Sequence, residues 1–132
     1  MDKKYWLPAI IIIATGAATL YFFQSRPAPG PKFFPASEVN LNDAVITITN
    51  TKVEPAEITM RVGEKIVFIN KSTDFAWPAS NPHPTHTDYP ELDPREPLDA
   101  NEAWAFTFTK VGEWEYHDHL KPSRRGTIKV TP

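Results

Sequence analysis

The chain has 132 residues, which is enough for one small domain with an extension. Its 14 lysines and arginines against 16 aspartates and glutamates give a net charge of -2, so it lacks the basic surface that nucleic-acid binding requires. The absence of cysteine excludes disulfides, thiolate metal ligands and a cysteine nucleophile. The four histidines all lie between positions 83 and 119, and they are the residues most suggestive of function.

An uncharged apolar segment, residues 5–23, follows Lys3 and Lys4 near the N-terminus. As a helix it would span roughly 28 Å, the thickness of a bilayer core, and aromatic residues stand at both ends as they do at membrane interfaces. We predict that residues 1–24 are a single-pass membrane anchor. The alternative is a cleaved signal peptide, with small residues at 14–18 for cleavage. The lysines before the segment favour a C-terminal domain on the extracytoplasmic side, periplasmic or extracellular.

Beyond this segment the chain divides into a proline-rich stretch and a β domain. Residues 25–42 are rich in proline and are predicted to form a semi-extended stalk. Residues 43–132 carry short runs of β-branched and aromatic residues that predict strands at 44–50, 56–62, 65–70, 102–109, 114–119 and 126–130. Strands of this length and spacing predict an all-β domain, a small antiparallel sandwich or barrel.

A long loop, residues 71–101, interrupts the strand pattern and is rich in proline. Loops of this length within a compact domain are uncommon, and they are either functional or disordered. Phe75, Trp77, Tyr89 and Leu92 give the loop more apolar bulk than a disordered insertion needs. The sequence therefore favours a packed loop with a function, and a disordered insertion is the alternative.

Two segments have a distinctive pattern: residues 58–70 read ITMRVGEKIVFIN, and residues 106–130 read FTFTKVGEWEYHDHLKPSRRGTIKV. Both resemble the cupredoxin family, whose members include plastocyanin and azurin. At the first segment the family has a strand pair that ends in Phe-x-Asn. At the second it has a strand, a glycine turn, an aromatic strand ending Tyr-His-Cys, a loop with His and Met, and a last strand after Gly-Thr. The resemblance covers residues 44–130 and implies a cupredoxin-like fold, a small antiparallel Greek-key β-sandwich.

The blue-copper ligands of that family do not carry over to this chain. The cysteine position falls on Asp118, the following histidine position on Lys121 and the axial methionine position on Arg124. The first histidine has no counterpart near Ala76 or Trp77. Because a blue-copper centre needs two histidines and a cysteine with a weak axial ligand, the resemblance implies the fold without its usual redox centre.

The four histidines form two pairs whose spacing suits metal coordination. His117 and His119 are two residues apart on a predicted strand, so their side chains project from the same face. His83 and His86 lie in the long loop among prolines, which restrict the backbone. We predict that these four imidazoles bind a metal ion; the alternative is that they are exposed histidines without function. The affinity order at nitrogen ligands favours copper(II), with zinc as the alternative.

The strand period also predicts where such a site lies. The large apolar residues of strand 114–119 share their parity with Asp118 and face the core, so His117 and His119 face the opposite side. A site there needs a cover, and the long loop with its two histidines can supply one. Asp118 is predicted to orient an imidazole or to accept hydrogen bonds from loop N–H groups, with direct coordination as a third alternative.

Together these features predict a membrane-anchored, extracytoplasmic, metal-binding protein that handles copper without a blue-copper centre. The expected partners are the metal ion, the membrane and a redox or metal-trafficking protein. A metal-dependent oxidoreductase is a second hypothesis, because a histidine site with an open position can activate water or dioxygen. The sequence shows no general base or substrate pocket that supports it, and no catalytic residue is predicted. A metal-free structural or binding module is the third hypothesis.

Overall fold

The computed structural model describes residues 33–132, which form two β-sheets packed face to face. In chain order the strands are β1 Phe33–Pro35, β2 Ala44–Ile48, β3 Val53–Glu54, β4 Glu57–Arg61, β5 Lys65–Asn70, β6 Pro78–Ser80, β7 Glu102–Thr107, β8 Gly112–Asp118 and β9 Lys121–Thr131. The first sheet has the order β1-β7-β5-β2-β3, and the second has the order β4-β9-β8-β6. A single turn of 3₁₀ helix, Ala36–Glu38, follows β1.

The core lies between the sheets because alternate residues of each strand point inward. Ile46 of β2, Phe68 of β5 and Ile128 of β9 are fully buried in it. Phe68 packs against Trp104 with ring centroids 5.7 Å apart and meets Tyr116 edge-on at 5.3 Å, which joins the two sheets. Burial of each such side chain stabilises the fold by about 1.5–3 kcal/mol. The all-β sandwich that the sequence predicts is confirmed.

The prediction that the sandwich is antiparallel is wrong, because each sheet contains one parallel pair. Strand β2 runs parallel to β5, and β4 runs parallel to β9. The cause is the path of the chain, which leaves the first sheet after β3, passes through β4 in the second sheet and returns as β5. A strand that re-enters a sheet after such a crossover can run in the same direction as its new neighbour.

The sequence predicts that the β domain starts at residue 43, but residues before that position also belong to the sandwich. Strand β1 lies within the segment predicted as a stalk, yet it pairs with β7, with Phe33 opposite Trp104. Phe33 also packs against the buried core. The predicted anchor, residues 1–24, and the first part of the predicted stalk lie outside the described residues. Within residues 33–132, no helix has both the length and the apolar character needed to cross a membrane.

The loop of residues 71–101 is packed against the sandwich. Tyr89, Leu92 and Leu98 are buried, so their apolar surface anchors the loop. The sequence predicts no strand here, but β6 lies within the loop and pairs with β8, with Ala79 opposite His117. Three residues that include a proline give no period that could reveal such a strand. This pairing places the loop against the strand that carries His117.

Candidate metal centre

Strand β8 and the residue after it present His117 and His119 toward the loop. His117 is only 2% exposed, although its neighbour Glu115 on the same face is exposed. The loop therefore covers the end of this face. The backbone N–H of His119 donates to the carbonyl of Trp77 at 2.7 Å, which ties the strand end to the start of β6. The register shifts between His117 and Asp118, and Asp118 faces the opposite side.

Local hydrogen bonds hold the loop histidines in place. His86 has a φ of 55°, in the left-handed region that non-glycine residues seldom adopt. Its N–H donates to the carbonyl of Pro82 at 2.8 Å, and its carbonyl accepts from the Ser80 hydroxyl at 3.0 Å. These bonds fix a conformation that would otherwise be unfavourable, and such conformations are concentrated at functional sites. His86 is buried, whereas His83 is exposed at the edge of the site.

The four side chains meet in one place, here called the histidine cluster: His83, His86, His117 and His119. One ligand nitrogen from each lies within 4.8 Å of all the others. The shortest separations are 3.2 Å between His83 Nδ1 and His117 Nε2, and 3.0 Å between His86 Nε2 and His119 Nδ1. Metal–nitrogen bonds of about 2.0–2.1 Å put adjacent ligand nitrogens roughly 3–3.5 Å apart. The structure thus brings together all four histidines that the sequence predicts as ligands, at separations that suit one ion.

A hydrogen-bonded chain fixes the tautomer of His117. Asn81 Nδ2 donates to Glu115 Oε2 at 2.8 Å, so the Asn81 oxygen must face the imidazole. Asn81 Oδ1 then accepts from His117 Nδ1 at 2.8 Å. Because the proton is on Nδ1, His117 Nε2 presents its lone pair to the histidine cluster.

A second chain fixes the tautomer of His86. Asp93 Oδ2 accepts from His86 Nδ1 at 2.8 Å, which leaves the Nε2 lone pair facing the histidine cluster. Asp93 Oδ1 accepts from Trp77 Nε1 at 2.8 Å and from the backbone N–H of Arg95 at 2.7 Å. The Trp77 ring in turn packs against His119, with centroids 4.9 Å apart.

With these two tautomers fixed, the other two imidazoles are the donors within the cluster. His83 Nδ1–H donates to His117 Nε2, and His119 Nδ1–H donates to His86 Nε2. All four rings can therefore be neutral at once. A metal ion would replace these two N–H···N bonds, with the proton on each donor ring moving to Nε2 and no net proton release from the four neutral rings.

The electrostatics of the cluster favour neutral imidazoles. Burial, together with the neighbouring rings of His86, His83 and His119, lowers the pKa of His117 to about 4. Burial and the same kind of neighbours also lower the pKa of His119. Burial acts to raise the pKa of Asp93, but hydrogen bonds from Trp77 and His86 outweigh it, so that pKa is lowered. Neutral imidazole is the form that coordinates metals.

The positions that correspond to blue-copper ligands hold an ion pair instead of a metal site. Asp118 Oδ2 lies 2.5 Å from Arg124 Nη2, and both side chains are almost fully buried. Asp118 Oδ1 accepts from the backbone N–H groups of Trp77 and Leu120 at 3.0 and 2.9 Å. Arg124 Nη1 donates to the carbonyl of Thr49 at 3.0 Å. Within residues 33–132, Asp118 makes no hydrogen bond to an imidazole, so it acts as the acceptor of loop N–H groups, one of the roles that the sequence suggests.

The third of these positions also lacks a metal ligand. Lys121 Nζ donates to the carbonyl of Asn50 at 2.8 Å. Two cations at the family's histidine and methionine positions would repel a metal ion, and neither is a ligand in its protonated form. The donor set at this end of the second sheet therefore does not fit blue copper, whereas the histidine cluster on the opposite face of β8 fits an ion bound by nitrogen.

Three residues that support the cluster were not predicted from the sequence: Asn81, Asp93 and Trp77. Asp93 follows His86 by seven residues, a separation that no regular period brings into contact. Asn81 lies two positions before His83, and this closeness to a predicted ligand could have indicated a supporting role. Its hydrogen-bond partner, however, is His117, 36 residues away in sequence. Trp77 was counted only as part of the apolar bulk of the loop, but it is half-buried and its ring packs against His119.

Comparisons with known proteins identify relatives of the whole sandwich. No family model matches the chain. Amicyanin from Paracoccus denitrificans is 29% identical over 126 residues, which cover 92% of this chain and 91% of amicyanin. A solved structure of an oxidised amicyanin variant is 26% identical with a TM-score of 0.66, covering 80% of this chain and 95% of that one. A Cu(I) amicyanin variant is 25% identical with a TM-score of 0.64, at the same coverage.

Proposed function

Because the chain carries a cupredoxin-like domain that lacks the cysteine and methionine ligands of blue copper, we propose that it binds a copper ion through the histidine cluster. The observation that carries the proposal is the convergence of four ligand nitrogens within 4.8 Å, two of them with fixed lone pairs. Outer hydrogen bonds that orient an imidazole are typical of metal-ligating histidines and are not required for surface histidines without a function.

Copper is the metal that the donor set and the relatives favour. Four imidazole nitrogens bind copper(II) more tightly than zinc(II) in the usual affinity order. Amicyanin, the similar protein, has been solved in a Cu(I) form. When bound, copper would supply a Lewis-acidic, redox-capable centre. The histidine cluster provides no soft sulfur ligand, and we infer that the protein holds, buffers or delivers copper(II), with a redox or metal-trafficking protein as its partner.

The proposal includes a location outside the cytoplasm at a membrane. Its support is the uncharged segment 5–23 and the lysines that precede it. Mapping the mature N-terminus in cell membranes tests the anchor, which predicts that Met1 or Asp2 remains. A mature N-terminus between Ala17 and Gln24 would instead establish a cleaved signal peptide.

Metal analysis of the full-length chain tests the copper proposal. After loading with excess copper or zinc and removal of unbound metal, mass spectrometry should find one copper ion per chain, and copper should displace zinc in a mixture. The loaded protein should lack the intense visible band of a blue site, because no thiolate is present to supply the charge transfer. A chain that retains no metal, or that prefers zinc, contradicts the proposal.

A further inference from the structure

A partly buried carboxylate, that of Asp93, lies beside the proposed copper ligands without being one of them. The Asp93 side chain is 15% exposed and that of His86 is 8% exposed. We propose that Asp93 is a positioning residue that orients His86 and makes the site select copper(II) over copper(I). This inference rests on the proposed function and adds the property that decides which oxidation state the site retains.

Asp93 forms hydrogen bonds with two side chains of the site. Asp93 accepts from His86 Nδ1 at one oxygen and from Trp77 Nε1 at the other, both at 2.8 Å. Both partners are donors, so a side chain with two acceptor oxygens is needed to satisfy them. Trp77 also packs against His119. Through these two contacts Asp93 connects the loop ligand His86 with the ring that covers a ligand from the strand end.

Asp93 also places a negative charge next to the proposed ion. The histidine cluster consists of neutral ligands, so compensation for the charge of a bound ion must come from nearby carboxylates. Among residues 33–132, Asp93 is the only carboxylate that hydrogen-bonds to a cluster imidazole. Glu115 reaches the cluster only through Asn81, and the charge of Asp118 is compensated by Arg124. Because Coulomb attraction scales with the charge of the ion, Asp93 stabilises copper(II) more than copper(I).

The test compares the affinities of the full-length chain for the two oxidation states, measured by competition with chromophoric copper(II) and copper(I) chelators. Asp93→Asn should lower copper(II) affinity by roughly 10–100-fold, the range found for groups that support a metal ligand. Copper(I) affinity should fall less. Each tenfold difference between the two losses corresponds to a rise of about 59 mV in the one-electron reduction potential. Asp88→Asn makes the same chemical change at an exposed position of the same loop and should leave both affinities unchanged.

A double variant separates orientation from charge. In Asp93→Asn alone, the amide has a single oxygen, so it cannot accept from both His86 Nδ1 and Trp77 Nε1 as the carboxylate does. In Trp77→Phe with Asp93→Asn, the amide oxygen is free to accept from His86. The double variant should therefore recover part of the copper(II) affinity that Asp93→Asn alone loses, while its ratio of copper(II) to copper(I) affinity stays below that of Trp77→Phe.

The outcomes are distinct. If Asp93→Asn lowers both affinities equally, or neither, the inferred selectivity is wrong while copper binding stands. If the wild-type chain binds copper in neither state, the proposed function itself fails. Melting temperatures of the metal-free variants identify any loss of binding that is due to unfolding, and the affinity ratio does not respond to a purely structural defect.

Discussion

His117 and Asp118 are adjacent in sequence, point to opposite sides of β8 and have opposite surroundings. On one side Asp118 meets Arg124, and each charge is compensated within the chain. On the other side four imidazoles converge, and outer hydrogen bonds direct the lone pairs of His86 and His117 into the cluster. Both regions contain buried polar side chains. The difference shows that burial of polar groups does not by itself identify a metal site. A metal site is indicated where several uncharged ligand nitrogens converge and no ion pair within the chain occupies them.

The largest effect is expected from breaking the compensated side. Arg124→Met should lower the free energy of unfolding by about 3–5 kcal/mol, because it leaves the Asp118 carboxylate buried without its partner. Chemical denaturation of the metal-free chain measures this. Arg125→Met, at the exposed neighbouring position, is the control and should have a small effect. An unchanged unfolding free energy for Arg124→Met would show that the ion pair is not structural.

The next largest effect should come from the cluster itself. His117→Ala and His83→Ala should each weaken copper(II) binding by more than the roughly 10–100-fold typical of residues that only support a ligand. The two residues are 34 positions apart in sequence, so a shared loss is evidence of a shared ion. Isothermal titration of the full-length variants measures both affinities.

His83 is the more informative of the two because it is exposed, so its replacement should leave the metal-free fold intact. The same loss is expected for His86→Ala and His119→Ala. If the loop variants bind like the wild type while His117→Ala does not, the loop contributes no ligand and the four-histidine site is wrong.

A pH dependence of intermediate size should appear in the stability of the metal-free chain. Burial lowers the pKa of His117 to about 4 in the folded state, against about 6.5 in the unfolded state. Between these values the unfolded chain takes up a proton that the folded chain does not, so the unfolding free energy should fall as pH decreases through this window. Denaturation curves at several pH values measure the slope. His117→Gln should reduce it, and an unchanged slope would mean that the imidazole is accessible to protons.

The smallest effect is predicted for Lys121, at the position of the family's second histidine ligand. Lys121→Ala should leave copper affinity unchanged and shift the unfolding free energy by only about 0.5 kcal/mol, because this exposed residue makes one hydrogen bond, to the carbonyl of Asn50. A marked loss of copper binding would instead place the ion on the side of β8 that carries Asp118, at the positions of the blue-copper ligands, and the histidine cluster would not be the copper site.

The sequence predicts strands well where apolar residues mark them, but it misses residues 121–125 of the longest strand, β9, because that segment has no alternation of apolar and polar residues. Strand β5 was predicted with its observed bounds, since its β-branched and aromatic residues fill buried positions. Strands β3 and β6 have two and three residues, too few to show a period. The same period correctly predicts that His117 and His119 face away from Asp118.

The supporting residues could not be predicted because their contacts are set by the fold of the loop. His86 and Asp93 meet only after the loop turns back on itself around the buried side chains of Tyr89 and Leu92. No local pattern encodes such a turn. The membrane anchor and the identity of the metal remain predictions, since the first concerns residues outside the described part and the second concerns a bound species.

The separation of the two histidine pairs along the chain gives the proposed ion an additional effect. A chain without cysteine cannot form a covalent cross-link, yet an ion held by His83 and His117 would join segments 34 residues apart. Because the unfolded chain does not hold those two imidazoles together, the ion would bind the folded domain more tightly, and it would add about 2.7 kcal/mol to the unfolding free energy at a free-ion concentration about 100 times its Kd. The ion would then act as a reversible cross-link that is lost when copper dissociates. Resistance to unfolding and to proteolysis would therefore increase with the fraction of chains that hold copper.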